Sequence, residues 1–180
     1  MANPNAPFGF RPTMRTLFGG SGTLATTNKL VGYGTALFIN DAVTHAAASI
    51  KPTLCVDAAI TPGTTPVLGV NLVYQAASLA TDGVIVLAAG AIFEAAGDGT
   101  GATFLVAASL EKTFNMALTA GNTATKVSKH SISETSVATT NTLDLKIRGL
   151  VQDGVNVLGQ YAKVFVTFNN LVDGPQVAGI

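Results

Sequence analysis

Cysteine and charged residues are both scarce in this sequence. Cys55 is the one cysteine in 180 residues, which excludes an intrachain disulfide and a thiolate zinc site. Its neighbours Leu54 and Val56 are apolar, so we expect a small buried side chain rather than a reactive thiol. Only 11% of the residues are charged, against roughly 25% in ordinary globular proteins. Such a weakly charged surface suggests contact with partners.

An excess of charge of one sign and a long hydrophobic segment are also lacking. Ten acidic residues balance ten basic ones, whereas nucleic-acid-binding proteins cluster Lys and Arg against phosphates, so we expect no nucleic-acid partner. The longest apolar run, residues 84–93, is about half the length of a membrane-spanning helix. No basic segment followed by an apolar one opens the chain, so we expect synthesis in the cytoplasm and no membrane contact.

No catalytic or cofactor-binding motif is present, so the sequence predicts no enzyme, no cofactor and no metal. His45 and His130 lie in polar segments and are expected at the surface. A dispersed active site would require one of them to approach a carboxylate with a perturbed pKa. Residues 97–101, GDGTG, lack both the Lys of a phosphate-binding loop and the alternating carboxylates of a calcium loop. We expect a flexible turn there.

Short apolar or alternating runs, separated by Gly, Asn, Asp and Pro, predict a mainly β fold. The predicted strands are residues 35–39, 54–56, 67–74, 84–93, 143–150 and 162–168. At most one or two short helices are expected, and the candidates are residues 41–49 and 103–116.

The last two predicted strands differ in their hydrophobic pattern. In the first of them, Leu145 and Ile147 are expected to face the core, whereas Asp144, Lys146 and Arg148 are expected to face water. The strand over residues 162–168 is apolar on both faces, which predicts a central position or a covered face.

Residues 1–22 differ in composition from the rest and predict an extended N-terminal arm, followed by a single β-rich domain over residues 23–180. Proline restricts its own backbone and the preceding residue to extended conformations, and Pro4, Pro7 and Pro12 all lie in this segment. Phe8 and Phe10 would be costly to leave in water, as would the side chains of residues 17 and 18. The arm is therefore expected either to dock on a partner or to fold back over its own domain.

Arg11 and Arg15 flank the aromatic residues of the arm, which raises the question of nucleic-acid binding. Two cations release too few counterions for appreciable affinity at physiological salt. An extended segment of this kind is better suited to a groove or a sheet edge on a protein.

The opening residues 1–12, MANPNAPFGFRP, read together with residues 145–169, resemble the capsid decoration, or cement, proteins of tailed bacteriophages. Further similarity lies in residues 34–36 (GTA), 39–43 (INDAV), 67–70 (VLGV) and 159–169. The resemblance implies a small antiparallel β-barrel or β-tulip-like domain on the outer surface of an icosahedral head. It also implies homotrimers that clamp neighbouring major capsid subunits and stabilise the shell.

The resemblance assigns the capsid contact to six residues of the arm, which are Pro4, Pro7, Phe8, Phe10, Arg11 and Pro12. The prolines would lower the cost of ordering, the two phenylalanines would supply buried area, and the arginine would reach a carboxylate or a carbonyl. Another virion β module, such as a head fibre, a tail protein or a protein that binds a host-surface glycan, is the alternative. The fold class alone does not separate these functions.

Overall fold

A computed structural model describes residues 3–16, 22–29, 34–46, 54–77, 82–100 and 105–172. Within these residues the chain forms twelve strands and two 3₁₀ turns, Ala107–Ser109 and Glu134–Ser136. The strands are β1 (Arg11–Thr16), β2 (Leu24–Lys29), β3 (Ala42–His45), β4 (Leu54–Asp57), β5 (Gly69–Asn71), β6 (Asp82–Leu87), β7 (Ala91–Ala96), β8 (Thr113–Phe114), β9 (Met116–Ala117), β10 (Ser131–Ile132), β11 (Leu145–Leu150) and β12 (Lys163–Phe168). The predicted mainly β fold is confirmed.

Five of the strands form an antiparallel sheet in the order β1-β7-β12-β11-β8. Strand β12 lies between β7 and β11, which agrees with its apolar residues on both faces. Val166 of β12 stands opposite Phe93 on one side and Ile147 on the other, and all three side chains are fully buried. The strand β1 is an edge of this sheet.

A second group of strands pairs in a closed ring in the order β2-β4-β3-β5-β6. Only β2 and β4 run parallel, and the other pairs of the ring are antiparallel. Leu37, Val43, Val56, Leu68 and Ile85, from these strands and the segments beside them, form a buried hydrophobic cluster. Other buried side chains of the ring join the core of the five-stranded sheet, so the ring and the sheet pack on each other.

The apolar run over residues 84–93, predicted as one strand, is divided between the ring and the sheet. The strand β6 ends at Leu87, and β7 begins at Ala91 in the five-stranded sheet. The intervening turn contains Gly90 with a φ of 72°, a conformation that glycine adopts without the strain that a side chain brings. The predicted strand over residues 35–39 is reduced to isolated bridges at Leu37 and Ile39.

Both candidate helices are wrong. In the described part of residues 41–49, the chain forms β3. Val43 and Thr44 are β-branched, and pairing with β4 and β5 outweighs the helix propensity of the adjacent alanines. In the described part of residues 103–116, a 3₁₀ turn at Ala107–Ser109 is followed by β8 and the start of β9. In both segments, pairing with strands from distant parts of the chain determines the secondary structure.

The face of β11 that was predicted to be wet is covered. Asp144 is fully buried, Lys146 is 5% exposed and Arg148 is half-buried. Both cations reach Glu111, whose Oε2 lies 3.3 Å from Lys146 Nζ and 3.0 Å from Arg148 Nη1. The loop before β8 therefore covers this face and supplies the carboxylate that compensates the buried charge.

The buried carboxylate of Asp144 joins three parts of the fold. It accepts hydrogen bonds from the backbone N–H of Gly63 at 2.9 Å and from that of Met116 at 3.1 Å. The backbone carbonyl of Asp144 accepts a hydrogen bond from the N–H of Asn169 at 2.7 Å. Burial raises the pKa of Asp144, and the amides of Gly63 and Met116 oppose that rise. Asp144 thus holds the loop after β4, the start of β9 and the end of β12 together.

Replacing Asp144 by Ala is expected to lower the free energy of unfolding by about 2–4 kcal/mol, because the buried N–H of Met116 and the partly buried N–H of Gly63 lose their acceptor. Urea unfolding at neutral pH measures this loss. The exposed Asp82 supplies the control, since Asp82→Ala should change stability by no more than about 0.5 kcal/mol. Equal unfolding midpoints for the two variants would contradict the structural role of Asp144.

Candidate partner-binding surface on the N-terminal arm

The first described residue of the arm, Asn3, is fastened to the loop between β11 and β12. Its side-chain Nδ2 donates to the carbonyl oxygens of Val157 at 2.8 Å and Gln160 at 2.9 Å. Its Oδ1 accepts from the N–H of Val157 at 3.1 Å. Asn3 is 8% exposed, so these bonds supply hydrogen-bond partners to a side-chain amide that is buried from water. The arm therefore starts from a fixed point on the domain.

Residues 8–10 are fastened a second time, to the segment that precedes β3. The N–H of Phe10 donates to the carbonyl of Asn40, and Asn40 Nδ2 donates to the carbonyl of Phe8, both at 2.9 Å. Between them Gly9 has a φ of 76°, and a Cβ atom there would lie 2.4 Å from the Asn40 oxygen and 2.5 Å from Ser128 Cβ. Only glycine fits this position without displacing its neighbours.

Phe10 is buried in the chain's own core, which corrects its assignment as a capsid contact. Its ring is 0% exposed and packs edge-on against Phe168 at a centroid distance of 5.0 Å and against His130 at 6.3 Å. A side chain so enclosed has no surface left for a partner. In its described part, the arm folds back over its own domain, the second of the two arrangements that the sequence left open.

The described part of the arm continues into the five-stranded sheet. Residues 11–16 form β1, which pairs with β7 in the five-stranded sheet. Pro12 stands opposite Phe93 in this pairing and is half-buried, a position on an edge strand where its missing N–H is tolerated. The side chain of Arg15 and residues 17–21, including Leu17 and Phe18, lie outside the described part of the chain.

Four of the six arm residues assigned to the capsid contact line an open groove of about 520 Å³. Pro4 is exposed, and Pro7 and Phe8 are half-buried. The rest of the lining comes from β7, from β12 and from the segment of residues 122–129, whose side chains are mostly small or polar. The structure thus brings Pro4, Pro7, Phe8 and Arg11 together at one surface and leaves Phe10 and Pro12 out of it.

Arg11 lies over Phe8 and beside a carboxylate of its own chain. Its Cζ is 4.4 Å from the centroid of the Phe8 ring, and its Nη1 is 3.6 Å from Oε2 of Glu94. The Arg11 side chain is still 55% exposed. The guanidinium therefore fixes the ring of Phe8 while keeping hydrogen-bond donors open to the groove.

His130 is buried, not exposed as predicted, and it meets a buried carboxylate. His130 Nε2 lies 3.5 Å from Oδ1 of Asp41, and Asp41 Oδ2 accepts from the N–H of Phe38 at 2.7 Å. Burial lowers the pKa of His130 and raises the pKa of Asp41, and the attraction between the two groups opposes both shifts. With the ring of Phe10 against His130, this pair lies under the arm and away from solvent.

A third buried carboxylate, that of Glu134, lies beside the glycine-rich loop of residues 97–101, whose described part extends to Thr100. The Glu134 side chain is 1% exposed, and a Cβ on Gly97 would clash with its carboxylate. The N–H of Glu134 donates to Asp98 Oδ1 at 3.3 Å. Burial and the charge of Asp98 raise the pKa of Glu134 to about 7, and the amides of Gly99 and Leu105 oppose that rise. The absence of a side chain at Gly97 leaves the space that the Glu134 carboxylate occupies.

The other candidate residues show no functional cluster. His45 is exposed, as predicted, and the side chain of Cys55 lies outside the described residues. Among the side chains that the structure describes, no group of three or more His, Cys, Asp or Glu could hold a metal ion. Within the same residues, no helix is long and apolar enough to cross a bilayer.

Sequence reasoning missed an exposed apolar patch next to the anchor of Asn3. Val155, Val157 and Leu158 are 58%, 46% and 37% exposed, and all three lie in the loop between β11 and β12. Val106, 51% exposed, follows Leu105, which bridges to Gly159 at the end of that loop. The sequence offers no periodic signal for this patch, because it lies in irregular segments that only the fold brings together.

Phe10→Ala is expected to lower the free energy of unfolding by about 3–5 kcal/mol, because it leaves a cavity in the core. The matched variant Phe8→Ala removes the same side chain from a half-buried position and should cost about 1 kcal/mol or less, mainly the contact with Arg11. Chemical denaturation of both variants measures the difference. Equal losses would show that the two rings do not differ in burial.

Glu134 is expected to make the protein less stable as pH rises. Its pKa in the folded state is about 7, above the ordinary value of 4.5, so between these values the folded state holds a proton that the unfolded state has released. The free energy of unfolding therefore falls with rising pH, by up to about 1.4 kcal/mol per pH unit in this window. The measurement is urea unfolding from pH 4 to 8, with the neutral isostere Glu134→Gln as reference. If both proteins show the same pH dependence, Glu134 does not titrate in this window.

Comparison with known proteins finds no family model, no curated protein and no solved structure that matches this chain. The residues themselves therefore carry the functional argument. Pro4, Pro7, Phe8 and Arg11 form a surface at the edge of a groove, on a chain that carries few charges.

Proposed function

We propose that this chain is a structural virion protein that binds the outer surface of an icosahedral phage head and staples neighbouring major capsid subunits. The observation that supports the proposal most is the groove of the arm, where Pro4, Pro7, Phe8 and Arg11 lie together on a rigid support. Prolines and a stacked aromatic ring lose little conformational freedom on binding, so more of the contact energy remains as affinity. The resemblance of residues 1–12 to cement proteins points to the same surface.

The scarcity of charge and the exposed apolar patch fit a protein that works by contact. Val106, Val155, Val157 and Leu158 lie outside the groove and offer a second apolar surface, suited to a neighbouring copy of the chain in a trimer. Repetition over a closed shell lets many modest contacts act together, since each attached copy raises the effective concentration of the next contact. In this function the protein stabilises the shell without turnover.

Point variants test the proposal better than deletion of the arm. Removing the arm also removes Phe10 from the core, so a truncated chain would lose folding and binding together. Phe8 lies at the groove and is only half-buried, which lets Phe8→Ala change the contact surface while the core stays intact.

We expect saturable co-sedimentation of the purified protein with heads of the source phage that have been stripped of it. Phe8→Ala should weaken this binding at least about tenfold, as for the loss of an aromatic interface anchor. Leu24→Ala is the matched control, because Leu24 is an exposed apolar residue that does not line the groove and should be neutral. If the unmodified protein does not sediment with the heads, the capsid proposal fails and a tail or host-glycan role gains support. If Phe8→Ala binds like wild type, the groove is not the contact.

A further inference from the structure

Cationic side chains predominate in the lining of the arm groove. Arg11, Lys129 and Lys163 line it, and Glu94 is the one carboxylate among the lining residues. In a chain with ten basic residues and zero net charge, three cations at one groove are a local concentration of positive charge. An occupant that carries negative charge is favoured there.

The three cations are not equally available. Arg11 lies 3.6 Å from Glu94, and Lys163 Nζ lies 2.5 Å from Asp153 Oδ2, so each has a carboxylate of its own chain. Lys129 is exposed and forms no ion pair with any residue that the structure describes. The uncompensated charge of the groove is therefore that of Lys129.

The other lining groups define the shape and polarity of the occupant. Pro4, Pro7 and Phe8 present an apolar wall, whereas Asn122, Thr125 and Ser128 contribute hydroxyl and amide groups. An open groove of mixed polarity suits an extended peptide, whose side chains alternate between two directions. A nucleic acid is a poorer match, because a single uncompensated cation neutralises too little of a phosphate backbone.

We infer that the groove binds an extended acidic segment of the partner protein, with a carboxylate of that segment placed at Lys129 and an apolar side chain on Phe8. The inference deepens the proposed function, and the identity of the partner as a capsid subunit rests on that proposal. The charge of the segment and the position of the contact rest on the groove alone.

The test uses the intact protein, ¹⁵N-labelled, and a capped peptide in which Glu and Val alternate. Titration at low ionic strength should shift the amide resonances of Phe8, Ser128 and Lys129, and added salt should reverse the shifts. A peptide with Lys in place of each Glu, and a single-stranded oligonucleotide, serve as competing ligands. The inference is overturned if the Lys peptide or the oligonucleotide binds as tightly as the Glu peptide, or if millimolar Glu peptide causes no shift at the groove.

Two charge-reversal variants locate the contact. Lys129→Glu should weaken binding of the Glu peptide about tenfold, and Lys129→Ala about threefold. Lys126→Glu is the matched control, because Lys126 is exposed three residues earlier, outside the groove lining, with its Nζ 4.9 Å from the centroid of the Tyr74 ring. Thermal unfolding of all three variants verifies that they fold. If Lys129→Glu and Lys126→Glu weaken peptide binding equally, the effect comes from the net charge of the protein and not from a contact at Lys129, and the inference is overturned.

Head binding separates the two proposals. If heads bind the unmodified protein and Lys129→Glu to the same extent, the acidic-segment inference fails while the capsid function stands. If the peptide binds at the groove but the heads do not bind, the groove has an acidic partner elsewhere and the capsid function fails.

Discussion

Burial of the Phe10 ring holds the neighbouring contact residues of the arm, Phe8 and Arg11, in place on the domain. The ring fills a space between Phe168 and His130, and the N–H of Phe10 and the carbonyl of Phe8 are hydrogen-bonded to Asn40. Full burial of a phenylalanine contributes about 1.5–3 kcal/mol, enough to keep this segment on the domain nearly all of the time. The arm is therefore part of the core, and only its outer face is left to meet a partner. Because that face is ordered before binding, a partner need not supply the energy of ordering it.

The separation of roles between Phe8 and Phe10 depends on a single glycine. Residues two apart on a regular strand point to the same side, so the sequence alone gives these two rings equivalent roles. The positive φ of Gly9 breaks that alternation, and the close approach of Asn40 and Ser128 requires a residue without a side chain there. One ring enters the core while the other stays at the groove. A glycine between two aromatic residues was the one sequence signal that the two rings could point to different sides. Its effect depends on contacts with Asn40 and Ser128, which are far along the chain.

Local patterns predicted the strands well where the sequence was unambiguous, and they failed where distant segments decide. The doubly apolar pattern of β12 correctly indicated a central strand. Alternation in β11 correctly placed Leu145 and Ile147 in the core but wrongly left Asp144 and Lys146 in water, because the loop before β8 and the loop after β4 cover that face. No periodicity within β11 carries information about these loops. The two false helices failed for the same reason, since strand pairing outweighs modest helix propensity.

Four of the few charged residues of this chain are buried inside it, and this shapes how it can bind. Asp41, Glu134 and Asp144 are buried, and Lys146 is compensated by Glu111. The outer surface is consequently even less charged than the composition suggests, so long-range electrostatic attraction can contribute little to association. Affinity must then come from apolar contact and from a few well-placed charged groups such as Lys129. Each such contact is modest, and a repeated lattice is the setting in which modest contacts hold a protein in place.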